Sequence, residues 1–291
     1  MKINLKPDKD VSVQKTRIGR VPTLILRPAT RPSIPVSILW IHGGGYILGM
    51  KEMVYMTRGV DLVKKYGVTV YSPGYRLAWQ KPYPAAVDDC YRVLEYMSKQ
   101  AETLMVGGES AGGGLAVAVC MMARDRGIKV AYQMPLYPMI SNIDTESSKD
   151  NHGKAWNTRR NHIGWRLYLR KDAKKHVSPY ASPAWQTDYS NLPPCYTFVG
   201  DGYRWSAGSN SIVFDECQNN SANYIQGTND RTSSTENSCL NVYGRACSEK
   251  PRCVAVKMIE RSEIEDNRQN SKDARHYIKE LFHANPSLKR F

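Results

Sequence analysis

The 291-residue sequence predicts an α/β fold in a single domain, 1–291, in which a mainly parallel β-sheet is flanked by helices. Three observations point there. Apolar runs of strand length alternate with segments of helical spacing through the first half of the chain, as expected of a parallel sheet covered on both faces. One run, Thr103 to Val106, enters Gly108-Glu109-Ser110-Ala111-Gly112 and leaves as an alanine-rich helix. Another, Pro35 to Ile41, enters His42-Gly43-Gly44-Gly45-Tyr46.

In chain order, Val21 to Leu26 and Pro35 to Ile41 are β-rich runs separated by the proline-punctuated Arg27-Pro-Ala-Thr-Arg-Pro32, which predicts two early strands. Val54 to Tyr66 has helical spacing and stops at Gly67, and Val68 to Tyr71 reads as a strand. Pro84 to Met97 reads as a helix with a proline in its first turn, where the missing N–H costs nothing. After the Thr103 to Val106 strand, Leu115 to Ala123 is the helix, and Lys129 to Tyr137 gives one more strand with its centre at Val130 to Met134. Tyr196 to Val199 completes the expected sheet.

Gly108 to Gly112 fits G-x-S-x-G, in which a strand turns into a helix around a serine. The turn strains the serine backbone, and glycines on either side remove Cβ atoms that would clash. Three glycines in succession after a strand, Gly43 to Gly45, leave backbone N–H groups able to converge on a carbonyl oxygen that becomes negative during acyl transfer. A plain flexible loop would read the same way in isolation. One chemistry specifies both motifs, so each strengthens the other.

These motifs, with Tyr75-Arg-Leu-Ala78, Tyr83-Pro-Ala-Ala-Val-Asp-Asp89, Ser178-Pro-Tyr-Ala-Ser-Pro183 and Leu192-Pro-Pro-Cys-Tyr-Thr-Phe-Val-Gly-Asp201, resemble the hormone-sensitive-lipase-like branch of the α/β-hydrolases, a group of carboxylesterases. The resemblance runs from about Val21 to Gly202, with one departure: Trp79-Gln80 stands where the family has Pro-Glu. It implies the α/β-hydrolase fold, Ser110 as nucleophile, and an oxyanion hole made by the N–H groups of Gly44, Gly45 and Ala111. Gly43, Tyr46 and Glu109 are expected to contact substrate, and His42 to bond the glycine loop from beneath. Asn151 to His176, within a cap of about 140–178, resembles the segment that lies over the acyl pocket, its Trp156, Trp165 and Tyr168 either lining that pocket or packing on the sheet.

The same resemblance exposes a gap. Three and four residues after Gly200 the family places an acid followed by proline, and here those positions hold Tyr203 and Arg204. Asp201 and, further on, Asp215 are the carboxylates that could substitute. The family's histidine, in a loop after the last strand, has no counterpart either; His276 is the first candidate base and His283 the second, both on a segment, Ser271 to His283, that reads as a capped helix. Between them, 203–252 is rich in Ser, Asn, Cys, Gly and Arg without apolar periodicity, and is expected to be irregular. A natural insertion, a decayed segment and an out-of-frame stretch all remain open for it. Cys253 to Ile259 reads as a final strand.

Composition narrows the rest. A formal charge of +14 raises the question of a nucleic-acid partner, yet the basic residues are scattered and no nucleic-acid motif accompanies them, so a solvated basic surface is expected. Met1 to Asp8 has no signal-like apolar core and no run is long enough to span a bilayer, which points to a soluble, cytoplasmic protein. Seven cysteines lack zinc-ligand spacing, and Cys90 and Cys120 sit in helix patterns suited to buried reduced thiols. No metal or organic cofactor is implied. The expected function is hydrolysis of a small ester through an acyl-enzyme, slow or absent without the usual acid and base; the alternative is an inactive small-molecule-binding protein on the same scaffold.

Overall fold

The structure, a computed structural model, describes residues 8–144, 146–153, 156–170 and 177–197. Six strands form one sheet in the order β1-β2-β4-β3-β5-β6: β1 (Val11–Ile18), β2 (Val21–Pro28), β3 (Val36–Ile41), β4 (Thr69–Pro73), β5 (Thr103–Glu109) and β6 (Tyr132–Leu136). The pairs from β4 through β3 and β5 to β6 are parallel, and β1 and β2 add antiparallel pairs at one side. The serine strand β5 is therefore interior, between β3 and β6, as its apolar run requires.

Both faces of the central strands are buried, and successive residues alternate between them. Leu39, Ile41, Leu104 and Val106 face one core with α2 (Ala85–Met97) and α3 (Ala111–Asp125). Ile38, Trp40 and Met105 face the other, with α1 (Arg58–Tyr66). Helix α1 ends where the sequence said it should: Gly67 takes a left-handed φ of 71° and returns its N–H to the Val63 carbonyl.

Three departures from the sequence reading have physical causes. Strand β1 was not anticipated, because an edge strand facing water alternates polar and apolar residues only weakly, and Gln14, Lys15 and Arg17 mask the pattern. The helix expected over Val54 to Tyr66 is two pieces, a 3-10 turn at Lys51–Met56 and α1, divided at an extended Thr57 whose hydroxyl accepts a 3.0 Å bond from the Trp40 indole. Helix α3 begins at Ala111 rather than Leu115, so the helix starts immediately after the serine. Tyr196 to Val199 is described only as far as Thr197; beside it Cys195 pairs in parallel with Gln133 of β6.

One motif pair explains itself as a clamp. Asp89 of α2, its side chain 2% exposed, accepts from Arg76 Nε at 2.7 Å, from the second Arg76 nitrogen at 2.9 Å and from the Arg76 N–H at 3.1 Å. The fork-on-carboxylate geometry pins the loop after β4 onto α2. Beyond β6, α4 (Glu146–Lys149) and α5 (Thr158–Leu169) are the helices within the described part of the segment expected as a cap. Among the described residues, no helix is long and apolar enough to cross a membrane.

Candidate active site

Ser110 sits between the last residue of β5 and the first of α3 with φ 55° and ψ −118°, a left-handed backbone that a non-glycine residue adopts only when its surroundings impose it. They do so through hydrogen bonds: the Ser110 N–H donates to the Leu136 carbonyl at 3.0 Å, and the Ser110 carbonyl accepts from Met139 at 2.9 Å and Gly114 at 3.0 Å. The glycines on either side are required by contact. A Cβ on Gly108 would lie 2.7 Å from the Ile41 carbonyl oxygen, and one on Gly112 would lie 2.2 Å from that same oxygen and 2.5 Å from that of His42. The end of β3 is thus packed directly on the turn, which brings the glycine loop to the serine.

In that loop a Cβ on Gly43 would stand 3.3 Å from the Ser110 Cβ. Gly44 and Gly45 both take positive φ, and the Gly44 carbonyl accepts from Ile47 and Leu48, closing a tight turn. Among the described residues, the N–H groups of Gly44, Gly45 and Ala111 donate to no other residue, and the Ser110 hydroxyl has no hydrogen-bond partner. Three unspent donors and one unspent hydroxyl therefore belong to two chain segments in direct contact.

His42 holds the loop from below. Its Nδ1 lies 2.8 Å from the Gly43 carbonyl oxygen, its ring stacks on Tyr75 at 4.2 Å, and the Tyr75 hydroxyl donates to the His42 carbonyl at 3.0 Å. Burial pushes the imidazole pKa down to about 4, so at neutral pH the ring is uncharged and Nδ1–H is the donor. Tyr46, expected to contact substrate, has its ring inside the core: it stacks on Tyr168 at 4.1 Å and donates its hydroxyl to the Met139 carbonyl at 2.7 Å. Its position under α5 makes its side chain a support for the loop rather than an exposed contact.

Glu109, also expected at the substrate, is largely buried next to Ser110. Burial raises its pKa, opposed by a hydrogen bond from Tyr137 and by the nearby Arg58. Tyr137 lies between Leu136 and Met139, the two residues that bond the Ser110 backbone, and it takes a positive φ of 35° in doing so. Sequence reasoning missed both partners, since neither belongs to a motif.

The segment above the loop is anchored by aromatic packing. A ring carbon of Trp156 comes so close to Gly45 that a Cβ there would lie 1.9 Å from it, and a Cβ on Gly164 of α5 would lie 2.8 Å from the Gly45 carbonyl oxygen. Trp165 packs against Tyr46 at 5.2 Å. Of the histidines in this segment, His152 pairs with Asp150 at 2.7 Å and His162 with Asp144 at 2.8 Å, both on the surface. Asp201 and His276, the candidate acid and base, lie outside the described residues, as do Asp215, His283 and the whole of 203–252. Among the described residues no group of His, Cys, Asp and Glu side chains could hold a metal ion.

Comparison with known proteins agrees with this architecture. Residues 38–203 match the family described as alpha/beta hydrolase fold. An arylesterase of Saccharolobus solfataricus is 31% identical over 166 residues, 54% of this chain and 54% of its own. Carboxylic ester hydrolase LipN of Mycobacterium tuberculosis is 30% identical over 201 residues, 62% of this chain and 52% of its own. The chain thus spans about half the length of the curated relatives it matches. Among solved structures, a bacterial heroin esterase superposes with a TM-score of 0.66 at 28% identity, covering 72% of each chain. A hormone-sensitive lipase from a metagenome library gives 0.67 at 25% identity over 75% of each. With the serine elbow, the glycine loop and the Arg76–Asp89 clamp in place, the chain belongs to the α/β-hydrolase fold family, in its hormone-sensitive-lipase-like branch.

Proposed function

We propose that this chain is a serine carboxylic-ester hydrolase acting on small, short-acyl esters. In the first step Ser110 Oγ bonds to the ester carbonyl carbon and passes its proton to solvent water, while the carbonyl π bond opens and its oxygen becomes negative within reach of the Gly44, Gly45 and Ala111 amides. Collapse expels the alcohol, which takes up a proton, and leaves an acyl-enzyme; water then releases the acid and restores the hydroxyl. The observation that carries this reading is the strained Ser110 in contact with a glycine loop, with those three N–H groups undonated among the described residues.

Turnover is expected to be slow. Tyr203 and Arg204 stand where the family has its acid and proline, and serine hydrolases without an intact triad keep only roughly 10³–10⁴-fold over water from the oxyanion hole and binding. A second reading, an inactive small-molecule-binding protein, is favoured by that same substitution. Labelling with a fluorophosphonate, with Ser110→Ala as control, and turnover of a short p-nitrophenyl ester separate the two. Labelling and turnover that vanish in Ser110→Ala support the hydrolase; a folded chain that binds the ester saturably yet is neither labelled nor active supports the binding protein.

A further inference from the structure

Glu109 closes β5 and is joined by one peptide bond to Ser110. Its carboxylate is engaged by two groups from other parts of the chain. The Tyr137 hydroxyl donates to it, and so does the backbone N–H of Arg58, the first residue of α1, with the Arg58 charge nearby. The second bond supplies a cap that α1 otherwise lacks. Its N-cap residue Thr57 makes no side-chain cap, and the Thr57 hydroxyl instead accepts from the Trp40 indole at 3.0 Å. The acid at the positive end of this helix therefore comes from the serine strand.

The first bond reaches the loop that fixes the nucleophile. Leu136 accepts the Ser110 N–H at 3.0 Å, Met139 donates to the Ser110 carbonyl at 2.9 Å, and Tyr137 stands between them with φ 35°. A positive φ at a tyrosine has to be held by its surroundings, as does the φ of 55° at Ser110. Tyr137 is 37% exposed, so burial holds it less firmly than Leu136 and Met139, at 4% and 1%. Its bond to Glu109 closes a circuit. Glu109 is joined to Ser110 by the chain, Ser110 to Leu136 by a hydrogen bond, Leu136 to Tyr137 by the chain, and Tyr137 back to Glu109 through its hydroxyl. Both strained residues belong to that one circuit.

We propose that Glu109 is a positioning residue for Ser110: its carboxylate holds Tyr137 and, through the Leu136 and Met139 bonds that flank Tyr137, keeps the serine backbone in the conformation that presents Oγ. A carboxylate suits the task because it accepts from two donors at once, whereas an amide in its place has one acceptor oxygen and turns an N–H toward the other donor. The role acts through Tyr137 rather than on substrate, and its consequence for catalysis rests on the ester-hydrolase reading of Ser110.

Two measurements on the full chain separate the positioning role from that reading. Backbone hydrogen exchange follows the Ser110 and Met139 N–H groups directly and needs no activity. In Glu109→Gln and in Tyr137→Phe both should exchange at least about tenfold faster, while Val93 and Leu94 within α2 stay within about twofold of the wild type. Fluorophosphonate labelling, resolved into binding and bond formation, should lose about tenfold in the bond-forming constant with binding unchanged, as expected when a nucleophile is misplaced and its pocket is not. The Glu109→Gln/Tyr137→Phe double variant should be no worse than the worse single variant in either measurement, because both changes cut the same circuit. Tyr137→Phe removes one hydroxyl from a part-exposed side chain, and it decides the matter alone if Glu109→Gln does not fold. If the wild type resists labelling, the ester-hydrolase reading falls and exchange alone decides the positioning role. Exchange at Ser110 and Met139 within about twofold of the wild type, equal acceleration at Val93 and Leu94, or losses that multiply in the double variant would overturn it.

Discussion

The serine elbow and the start of α5 are built on opposite plans. Around Ser110 the positions are set by backbone: carbonyls of Ile41, His42 and Leu136 press on glycines or accept from the turn, leaving no room for an added methyl group. Around α5 the positions are set by long charged side chains on an exposed helix face. A rigid backbone site can hold donors ready for a charge that exists only in a transition state, because nothing reorganises when that charge appears. Charges on an exposed face are instead screened by water and salt. The first should fail abruptly when altered, and the second by degrees.

Gly112→Ala gives the abrupt failure. Its Cβ would meet backbone oxygens at 2.2 and 2.5 Å, and the Ile41 carbonyl belongs to the central strand β3, so neither can yield cheaply. We expect a loss of about 4 kcal/mol or more in urea unfolding, in the range reserved for a disrupted core. Gly127→Ala is the counterpart: φ is +73° but nothing lies within 4 Å, so only the left-handed backbone strain of about 1–2 kcal/mol applies. Equal losses in the two variants would show that close approach at the elbow is not what makes Gly112 necessary.

The same contrast decides what could be read from the sequence. Gly108, Ser110, Gly112 and Gly43 to Gly45 were legible because a backbone constraint admits few residue types, and it leaves its mark within five consecutive positions. The α-helix and strand runs were legible for a similar reason, as two buried faces demand mostly apolar residues at the centres of β3 and β5. Trp156 on Gly45, Tyr137 on Glu109 and the core position of Tyr46 were not, since each depends on which side chain arrives from a segment far along the chain. The start of α5 was read as a solvated basic face, because lone arginines carry no sign of whether an acid will stand beside them. Asp201 and His276 stay as the sequence left them.

Asp89→Asn ranks next. The carboxylate is buried and takes two Arg76 nitrogens, the Arg76 backbone N–H and, at 3.4 Å, the Arg20 Nε, so losing its charge leaves two guanidinium groups facing a neutral amide, one of them only 28% exposed and held otherwise by the Ala85 carbonyl. Breaking a buried pair from one side costs about 3–5 kcal/mol, measurable as a shift of the unfolding midpoint. A loss below about 1 kcal/mol would mean that the clamp behaves as a surface pair.

His42 makes the elbow sensitive to acid. Its folded pKa of about 4 is below the ordinary 6.5, so the unfolded chain takes up this proton first as pH falls. The sign follows: its contribution is complete above about pH 6.5 and is lost as pH falls toward 4, by about 3 kcal/mol in all. Unfolding free energies measured at several pH values for the wild type and His42→Gln should diverge in slope across that window. Parallel slopes would assign the acid sensitivity to other groups.

The smallest effect tests the exposed start of α5, where one charge on a helix face should count for little. Asn157 caps α5 by accepting the Arg160 N–H at 3.0 Å. Aspartate caps as well as asparagine and brings the acid that the first turn lacks. Asn157→Asp should therefore raise stability by about 0.5 kcal/mol, since it puts a carboxylate at the positive end of the helix dipole. Because the change is one charge on an exposed face rather than a backbone contact, the gain should be screened away as salt rises. An unfolding midpoint unchanged or lowered in Asn157→Asp at low salt would show that the missing acid is not what limits this helix.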